Sequence, residues 1–529
     1  MKYFPLLVLV ALLFAATPAD AQKHKRSRKA DTTVAINRFH EVWQLIGERY
    51  VESPDLNSLS EEAIKAMLNK LDPHSLYIAA RDVQRANENL QGNFEGVGIS
   101  FQILSDTIVI VDIIKGGPSE KTGLSKGDKI TAIDGKPAVG DSVNNTFVSN
   151  HLRGEKGSTV NITVLHLNGT SETFAVVRDR VPIRSVENYF MVNDTIGYIS
   201  LSRFARTSAS EVHQAIDVLR RQGMKALLLD LRGNTGGYLD IATSLANEFL
   251  PANNLIVYTE GRAQKRQNFK TNGRGSFRSG KLVVMIDENS ASASEILSGC
   301  IQDHDRGTIV GRRSFGKGLV QKVFNLKDGS QIRLTTARYY TPSGRCIQKP
   351  YDKGSDAYRN DISQRYSHGE LVSADSIHID STLVYHTDKG RAVYGGGGIV
   401  PDRFVPMDTT HLTDYYLQLR KKGVISDFPL IWANKHRHEF SNITFEDFLA
   451  RYDSYNLDAE MEAYAKSKEI ERDLEKEASE PERVAHTAAY QHEILKAQVA
   501  KFLYGSEYYY RVMRHVDNTY KAALEEFSK

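Results

Sequence analysis

The sequence predicts a multidomain α/β protein, and three observations carry that prediction. Apolar residues recur at helical spacing near both ends of the chain, short strands punctuated by glycine turns run from Phe94 to about Arg180, and strand and helix patterns alternate from Pro182 to about Phe404. These zones divide the chain into a leader (1–21), an N-terminal helical segment (22–88), a β domain (89–180), an α/β core (181–406) and a helical C-terminal extension (407–529).

Met1 to Ala21 carries one early lysine, Lys2, an apolar run from Leu6 to Ala16 and the small-residue site Ala19-Asp20-Ala21, the pattern of a cleavable signal peptide. The run is short for a membrane span, so the expectation is a soluble periplasmic product, with an uncleaved anchor as the alternative. A net charge of +3 on 529 residues implies no nucleic-acid partner. The basic run Lys23–Lys29 reads as a disordered, solvated tail rather than a membrane contact. Beyond it, Phe39, Val42, Trp43, Ile46 and Tyr50 share a helical face, and Glu61 to Leu71 reads as a second helix capped by Ser60. Pro73 breaks that helix within Leu71-Asp-Pro-His-Ser-Leu-Tyr77. His74 reads there as a turn residue, because no second half of a catalytic site accompanies it.

In the β domain, Gly96-Val-Gly-Ile-Ser100, Val111 to Pro118 and Gly123-Leu-Ser-Lys-Gly-Asp-Lys-Ile-Thr-Ala-Ile-Asp-Gly135 together resemble a PDZ domain. The resemblance implies a loop, Gly96, Val97, Gly98 and Ile99, whose free N–H groups capture a peptide's terminal carboxylate while the peptide adds a strand to the sheet edge. Glycine at 96 and 98 lets the backbone approach such a ligand closely.

In the core, Thr195–Leu201 reads as a strand, Ser208–Gln222 as a helix and Ala226–Leu231 as a buried strand. The exit of that strand, Arg232-Gly-Asn-Thr-Gly-Gly237, has the turn chemistry to point N–H groups at one spot. A further apolar strand, Lys281–Asp287, delivers Ser290-Ala-Ser-Ala-Ser-Glu295 to a helix N-terminus. Unpaired N–H groups and the helix dipole favour negative charge there, including the oxyanion of an acyl-transfer intermediate. Ser314-Phe-Gly-Lys-Gly318 follows, and Lys317, flanked by glycines, suits a neutral base if its site is desolvated. A Ser/Lys dyad is the chemistry this combination fits. A capped helix start, with Glu295 completing a capping box, is the bland alternative.

Residues Asp287 to Gln321 resemble the active-site segment of the carboxy-terminal processing peptidases, or tail-specific proteases, whose pattern runs S/T-A-S-A-S-E, then Q-D, then F-G-K-G-x-x-Q. The matches are Ser290–Glu295, Gln302-Asp303 and Phe315–Gln321. A weaker likeness covers roughly residues 35–405, including Leu71–Tyr77, Gln331–Arg345 and Gly398–Asp402. The resemblance implies a crotonase-like α/β serine protease core with Ser292 as nucleophile, Lys317 as base and Gln321 orienting the lysine. Through the segment D-L-R-x-N-x-G-G it implies an oxyanion hole formed by Ala293 with Gly236 or Gly237. It further implies an endopeptidase for protein or peptide substrates with exposed apolar C-termini, needing no cofactor and no metal. A homo-oligomer or an adaptor protein stays open as a partner. The alternatives from other classes are a catalytically silent PDZ scaffold or regulator of the same fold, and a crotonase-like acyl-CoA enzyme.

The remaining features read as structural. Cys300 shares a stripe with Ile296, Leu297 and Ile301 and is expected to pack, its pairing with Cys346 left open. His436-Arg-His438 lacks a third metal ligand, and Gly395–Gly398 lacks the Lys-Ser/Thr of a phosphate loop. His304 is too far along a helix from Ser292 for a triad, roughly 18 Å at about 1.5 Å per residue. Lys349–Tyr394 looks like a polar insertion. The stripe Ile494, Leu495, Val499, Phe502 and Leu503 is expected to pack on its own protein, with dimerisation through it an even alternative.

Overall fold

The computed structural model describes residues 18–529, with side chains from residue 32 onward. The leader expected over 1–21 lies outside the described residues as far as residue 17. The chain forms two compact units, Met1–Leu71 and Asp72–Lys529. Among the described residues no helix is long and apolar enough to cross a membrane.

The first unit holds the helices Pro18–Arg49 and Leu56–Asn69. Two expectations change here. The basic run 23–29, expected as a disordered tail, lies inside the first helix. The second helix starts at Leu56 rather than Glu61, because Asp55 is its cap: the carboxylate accepts from Asn57 N at 3.0 Å and Ser58 N at 3.1 Å. Ser60, the expected cap, instead donates to Asn57 O at 2.8 Å.

In the second unit the β domain is an antiparallel sheet ordered Ile99–Leu104, Thr107–Ile113, Lys129–Ile133, Thr159–Leu165, Ser171–Val177. Ile108, Ile130, Val160 and Ile162 fill its core with Val148 and Leu152 of the helix Asn145–Leu152. The strand Ile99–Leu104 stands at the sheet's edge.

The α/β core is a sheet ordered Val186–Met191, Ile196–Leu201, Ala226–Asp230, Leu282–Ile286, Thr308–Gly311, Arg403–Phe404, parallel from the second strand on. Alternate residues face opposite layers. Leu227, Leu229, Leu282, Val284 and Ile286 meet the helices Ser208–Arg221, Leu239–Phe249 and Ala293–Asp303. Leu228, Val283 and Met285 meet Tyr520 and Ala523 of the C-terminal helix Asn518–Glu525. Cover on both faces is why these strands are continuously apolar. Each fully buried aliphatic side chain contributes roughly 1.5–3 kcal/mol.

A second sheet stands beside the core. Its long strand Gln331–Tyr340 pairs antiparallel with Leu319–Asn325, with Leu255–Gly261 and with the short strand Leu76–Ile78. The insertion after Lys349 forms the helices Ser355–Arg359 and Asp361–Ser367 and the hairpin Val384–His386 with Ala392–Tyr394. The C-terminal extension has a core of its own around Trp432, Phe448, Met461, Leu495 and Val499. Phe502, with Leu430 and Ala433, packs on Val109 of the β domain. The apolar stripe of the helix Pro481–Tyr504 therefore packs on its own protein.

Candidate active site

Ala226–Asp230 and Leu282–Ile286 are parallel neighbours, with Asp230 opposite Met285. Their exits therefore lie side by side at the carboxyl ends of the strands, where open α/β sheets bind ligands. The two turns are stapled together. Asn234 O accepts from Ala291 N at 3.0 Å and from Ser294 Oγ at 2.8 Å. Ser290 Oγ donates to Leu231 O at 2.8 Å, and Gly233 N donates to the Asp287 carboxylate at 2.9 Å.

This stapling separates the serines. Ser290 and Ser294 are fully buried and their hydroxyls are committed to backbone carbonyls. Ser292 is only part-buried; its Oγ accepts from Glu295 N in a capping box, and its hydroxyl proton is given to no acceptor among the described residues. It sits at φ 54°, ψ −111° immediately before the helix Ala293–Asp303. For a non-glycine residue that conformation is strained by about 1–3 kcal/mol, and it thrusts the side chain out of a sharp strand-to-helix turn.

Glu295 holds the turn in place. Its fully buried carboxylate accepts from Ser292 N at 2.7 Å, Lys317 N at 2.9 Å, Gly316 N at 2.7 Å and Ser314 Oγ at 2.5 Å. Burial pushes its pKa up to about 7 against the pull of those four donors. On the other side the Tyr339 hydroxyl lies between Lys317 O and Ser292 O, 3.1 Å from the latter. Ser292 and Lys317 are thus tied amide to amide through a carboxylate and carbonyl to carbonyl through a phenol.

Lys317 approaches between two glycines for a steric reason. A Cβ on Gly318 would stand 2.9 Å from Gln348 N, and Gly316 has φ +89° with Gly397 and Lys349 against it. Burial lowers the Lys317 pKa below the usual lysine range; Arg333 lowers it further, while Glu295 and Asp72 oppose the shift. Gln321 lies opposite Thr335 across the hairpin, next to a register shift at Val320, and its Nε2 donates to Thr335 Oγ1 at 3.1 Å. Among the described residues no side-chain hydrogen bond joins Ser292 to Lys317 or Gln321 to Lys317. Such contacts often tighten only in the substrate complex.

The two glycines of the neighbouring turn differ. A Cβ on Gly236 would meet Ala293 N and Ser292 Cβ at 2.8 Å, so only glycine packs against the serine turn there, and its N–H is spent on Asn234 Oδ1 at 2.9 Å. Gly237 N and Ala293 N have no acceptor among the described residues.

His74 stays a turn residue: its N–H donates to Asp72 Oδ1 at 2.8 Å and its ring Nε2 pairs with Tyr358 OH at 2.8 Å. Yet this turn lies close enough to the site that burial, then the Lys317 charge, push the His74 pKa down to about 4. Asp72, Thr335 and Tyr339 are the site residues that sequence reasoning missed. All three fall inside segments that resemble the peptidase landmarks, which was the available signal.

In the β domain, Val97 N and Gly98 N have no acceptor among the described residues, while their carbonyls are taken by Ser119 and Ile114. Gly98 has φ +83° and lies against Gly117 and Pro118, and Ile99 opens the edge strand. Elsewhere, His304 caps the helix end and pairs with Asp388 and Leu255 O. Cys300 and Cys346 are free thiols, Cys300 in the core.

Over 426 residues the chain is 33% identical to the carboxy-terminal-processing protease of Bartonella bacilliformis, covering 79% of this chain and 95% of that one. The chain belongs to the carboxy-terminal-processing protease family. Residues 195–354 match the model of peptidase family S41, 96–177 the PDZ domain, 11–82 the activating protease CtpB N-terminal domain and 415–505 a family of unknown function. The carboxy-terminal processing protease CtpB of Bacillus subtilis is 33% identical over 341 residues, 63% of this chain and 69% of that one. A solved photosystem II D1 C-terminal processing protease is 28% identical, covering 59% of this chain and 89% of that one with a TM-score of 0.35. The protein is a family S41 serine protease with an embedded PDZ domain and a helical C-terminal region.

Proposed function

We propose that this protease works through a Ser292–Lys317 dyad. The observation that carries the reading is the state of the three serines: Ser292 alone combines a hydroxyl proton given to no acceptor among the described residues with a strained turn, and its amide shares the Glu295 carboxylate with Lys317. Neutral Lys317 takes the Ser292 hydroxyl proton as Oγ attacks the substrate carbonyl carbon. The resulting oxyanion is held by the N–H groups of Ala293 and, of the two candidate glycines, Gly237, because the Gly236 N–H already serves Asn234. The Lys317 ammonium gives its proton to the departing amine; water, deprotonated by the now neutral Lys317 amine, then attacks the acyl-enzyme, and the Lys317 ammonium returns that proton to Ser292 Oγ as the acyl group leaves as a carboxylic acid. Gln321 orients Lys317.

The substrate is a protein or peptide with an exposed, apolar C-terminus. Its carboxylate meets the unpaired N–H groups of the Gly96–Ile99 loop and its chain adds to the edge strand Ile99–Leu104. We assign the mature chain to the periplasm on the strength of the leader pattern, with a second copy or an adaptor as the further partner. The test is to map, by mass spectrometry, cleavage of matched polypeptides bearing free or amidated C-termini. Cleavage near the tail, slowed markedly by amidation, supports the reading; equal cleavage of both forms would reduce the PDZ domain to a structural part.

A further inference from the structure

We propose that Asp72 and Thr335 form a positioning relay that fixes the side-chain amide of Gln321, making the Asp72–Tyr77 turn a part of the active site. The inference rests on the dyad reading above.

The short strand Leu76–Ile78 pairs with the long strand of the second sheet, Leu76 opposite Arg333. That register brings the preceding turn beside Thr335. Ser75 Oγ accepts from Thr335 N at 3.0 Å and donates to Asp72 Oδ2 at 2.7 Å. Asp72 Oδ1 accepts from His74 N and Ser75 N, both at 2.8 Å, and from Thr335 Oγ1 at 3.0 Å. The carboxylate is buried and filled by donors.

The direction of these bonds decides the rest. A threonine hydroxyl has a single proton. Given to Asp72, it leaves Thr335 Oγ1 only able to accept, so the Gln321 group facing it at 3.1 Å is the amide nitrogen. The Gln321 carbonyl oxygen is thereby left for a donor. A neutral lysine amine that donates one N–H to that oxygen keeps its lone pair directed elsewhere, which is the geometry a base toward Ser292 requires. Asp72 also acts on Lys317 at a distance, its charge favouring the ammonium. A residue far from the Ser/Lys segment in sequence therefore acts through two channels: the orientation of the glutamine and the charge of the lysine.

The experiment measures the rate of phosphonylation of Ser292 by a serine-reactive phosphonate as a function of pH for the wild type, Gln321→Ala, Thr335→Val, Thr335→Ser, Asp72→Asn and the double variant Gln321→Ala/Thr335→Val, with thermal melts for each. The relay predicts that Thr335→Val falls to the rate of Gln321→Ala, that Thr335→Ser retains the wild-type rate, and that the double variant is no slower than either single one. It also predicts that Asp72→Asn, which removes a charge favouring the ammonium, shifts the deprotonation midpoint to lower pH, a change that loss of packing alone would not cause. Wild-type rate in Thr335→Val, multiplicative losses in the double variant, or an unmoved midpoint in Asp72→Asn would overturn the relay. Should Thr335→Val fail to fold, Thr335→Ala, compared with Gln321→Ala in the same assay, decides instead. A wild-type rate with no dependence on a single deprotonation would overturn the dyad reading itself; a normal wild-type profile with unaffected variants would overturn the relay alone.

Discussion

The nucleophile turn and the PDZ loop are both short backbone segments flanking strands, and they treat their hydrogen-bonding groups in opposite ways. Around Ser292, the neighbouring serines, Asn234, Asp287, Glu295 and Tyr339 pair the turn's other polar groups and leave Ala293 N and Gly237 N without an acceptor among the described residues, and this network holds a residue at φ 54° against its own strain. In the loop Gly96–Ile99, the Val97 and Gly98 carbonyls are paired, but Val97 N and Gly98 N have no acceptor among the described residues. A saturated turn pre-organises chemistry, because donors placed beforehand need no reorganisation during reaction. An unsaturated loop at a sheet edge is a docking point, its missing acceptor supplied by a ligand.

The largest effect expected comes from breaking the saturated side. Ser292→Ala and Lys317→Ala should each abolish peptide hydrolysis, and the double variant should be no worse, as steady-state kinetics will show. Next in size is Glu295. Replacing it by Gln leaves at least one buried N–H unsatisfied, at a cost of about 1–3 kcal/mol each, read from denaturant midpoints. Its pKa is raised in the folded protein, so its contribution is fully present below the ordinary carboxyl range and is lost as pH rises through about 7. Wild-type stability should therefore decline over that interval, and the decline should flatten in Glu295→Gln. On the unsaturated side, a peptide with a free C-terminus should bind, by fluorescence anisotropy, more tightly than its amidated twin. A bulky residue at Gly98 is the wrong probe there, since the positive φ and the contact with Gly117 would disturb the loop's own fold. The smallest effect is expected at Asp517, which caps the C-terminal helix and receives Arg232 Nη1 at 2.7 Å. Asp517→Asn should lower stability by about 1–2 kcal/mol in thermal unfolding and leave the serine turn in place.

The candidates Ser292 and Lys317 could be picked out because their segment is contiguous and the elements around it are signalled by their own patterns: Leu282–Ile286 is wholly apolar, and the helix after Ser292 carries the expected stripe Ile296, Leu297, Cys300 and Ile301 into the core. Thr335 and Asp72 could not, because their part depends on strand register, which one bulge at Val320 resets. Which glycine offers its amide also escaped the sequence: Gly236 and Gly237 are equivalent in composition and differ only in what Asn234 has already taken. The misplaced helix start has the same origin, since Asp55 and Ser60 are both good caps and only the course of the backbone chooses between them.

The most direct test of the central claim is covalent. A serine-reactive phosphonate should label wild-type protein on the peptide containing Ser292, and labelling should vanish in Ser292→Ala and in Lys317→Ala while both variants melt as folded proteins. A label found on Ser290 or Ser294, or retained in Ser292→Ala, would contradict the account.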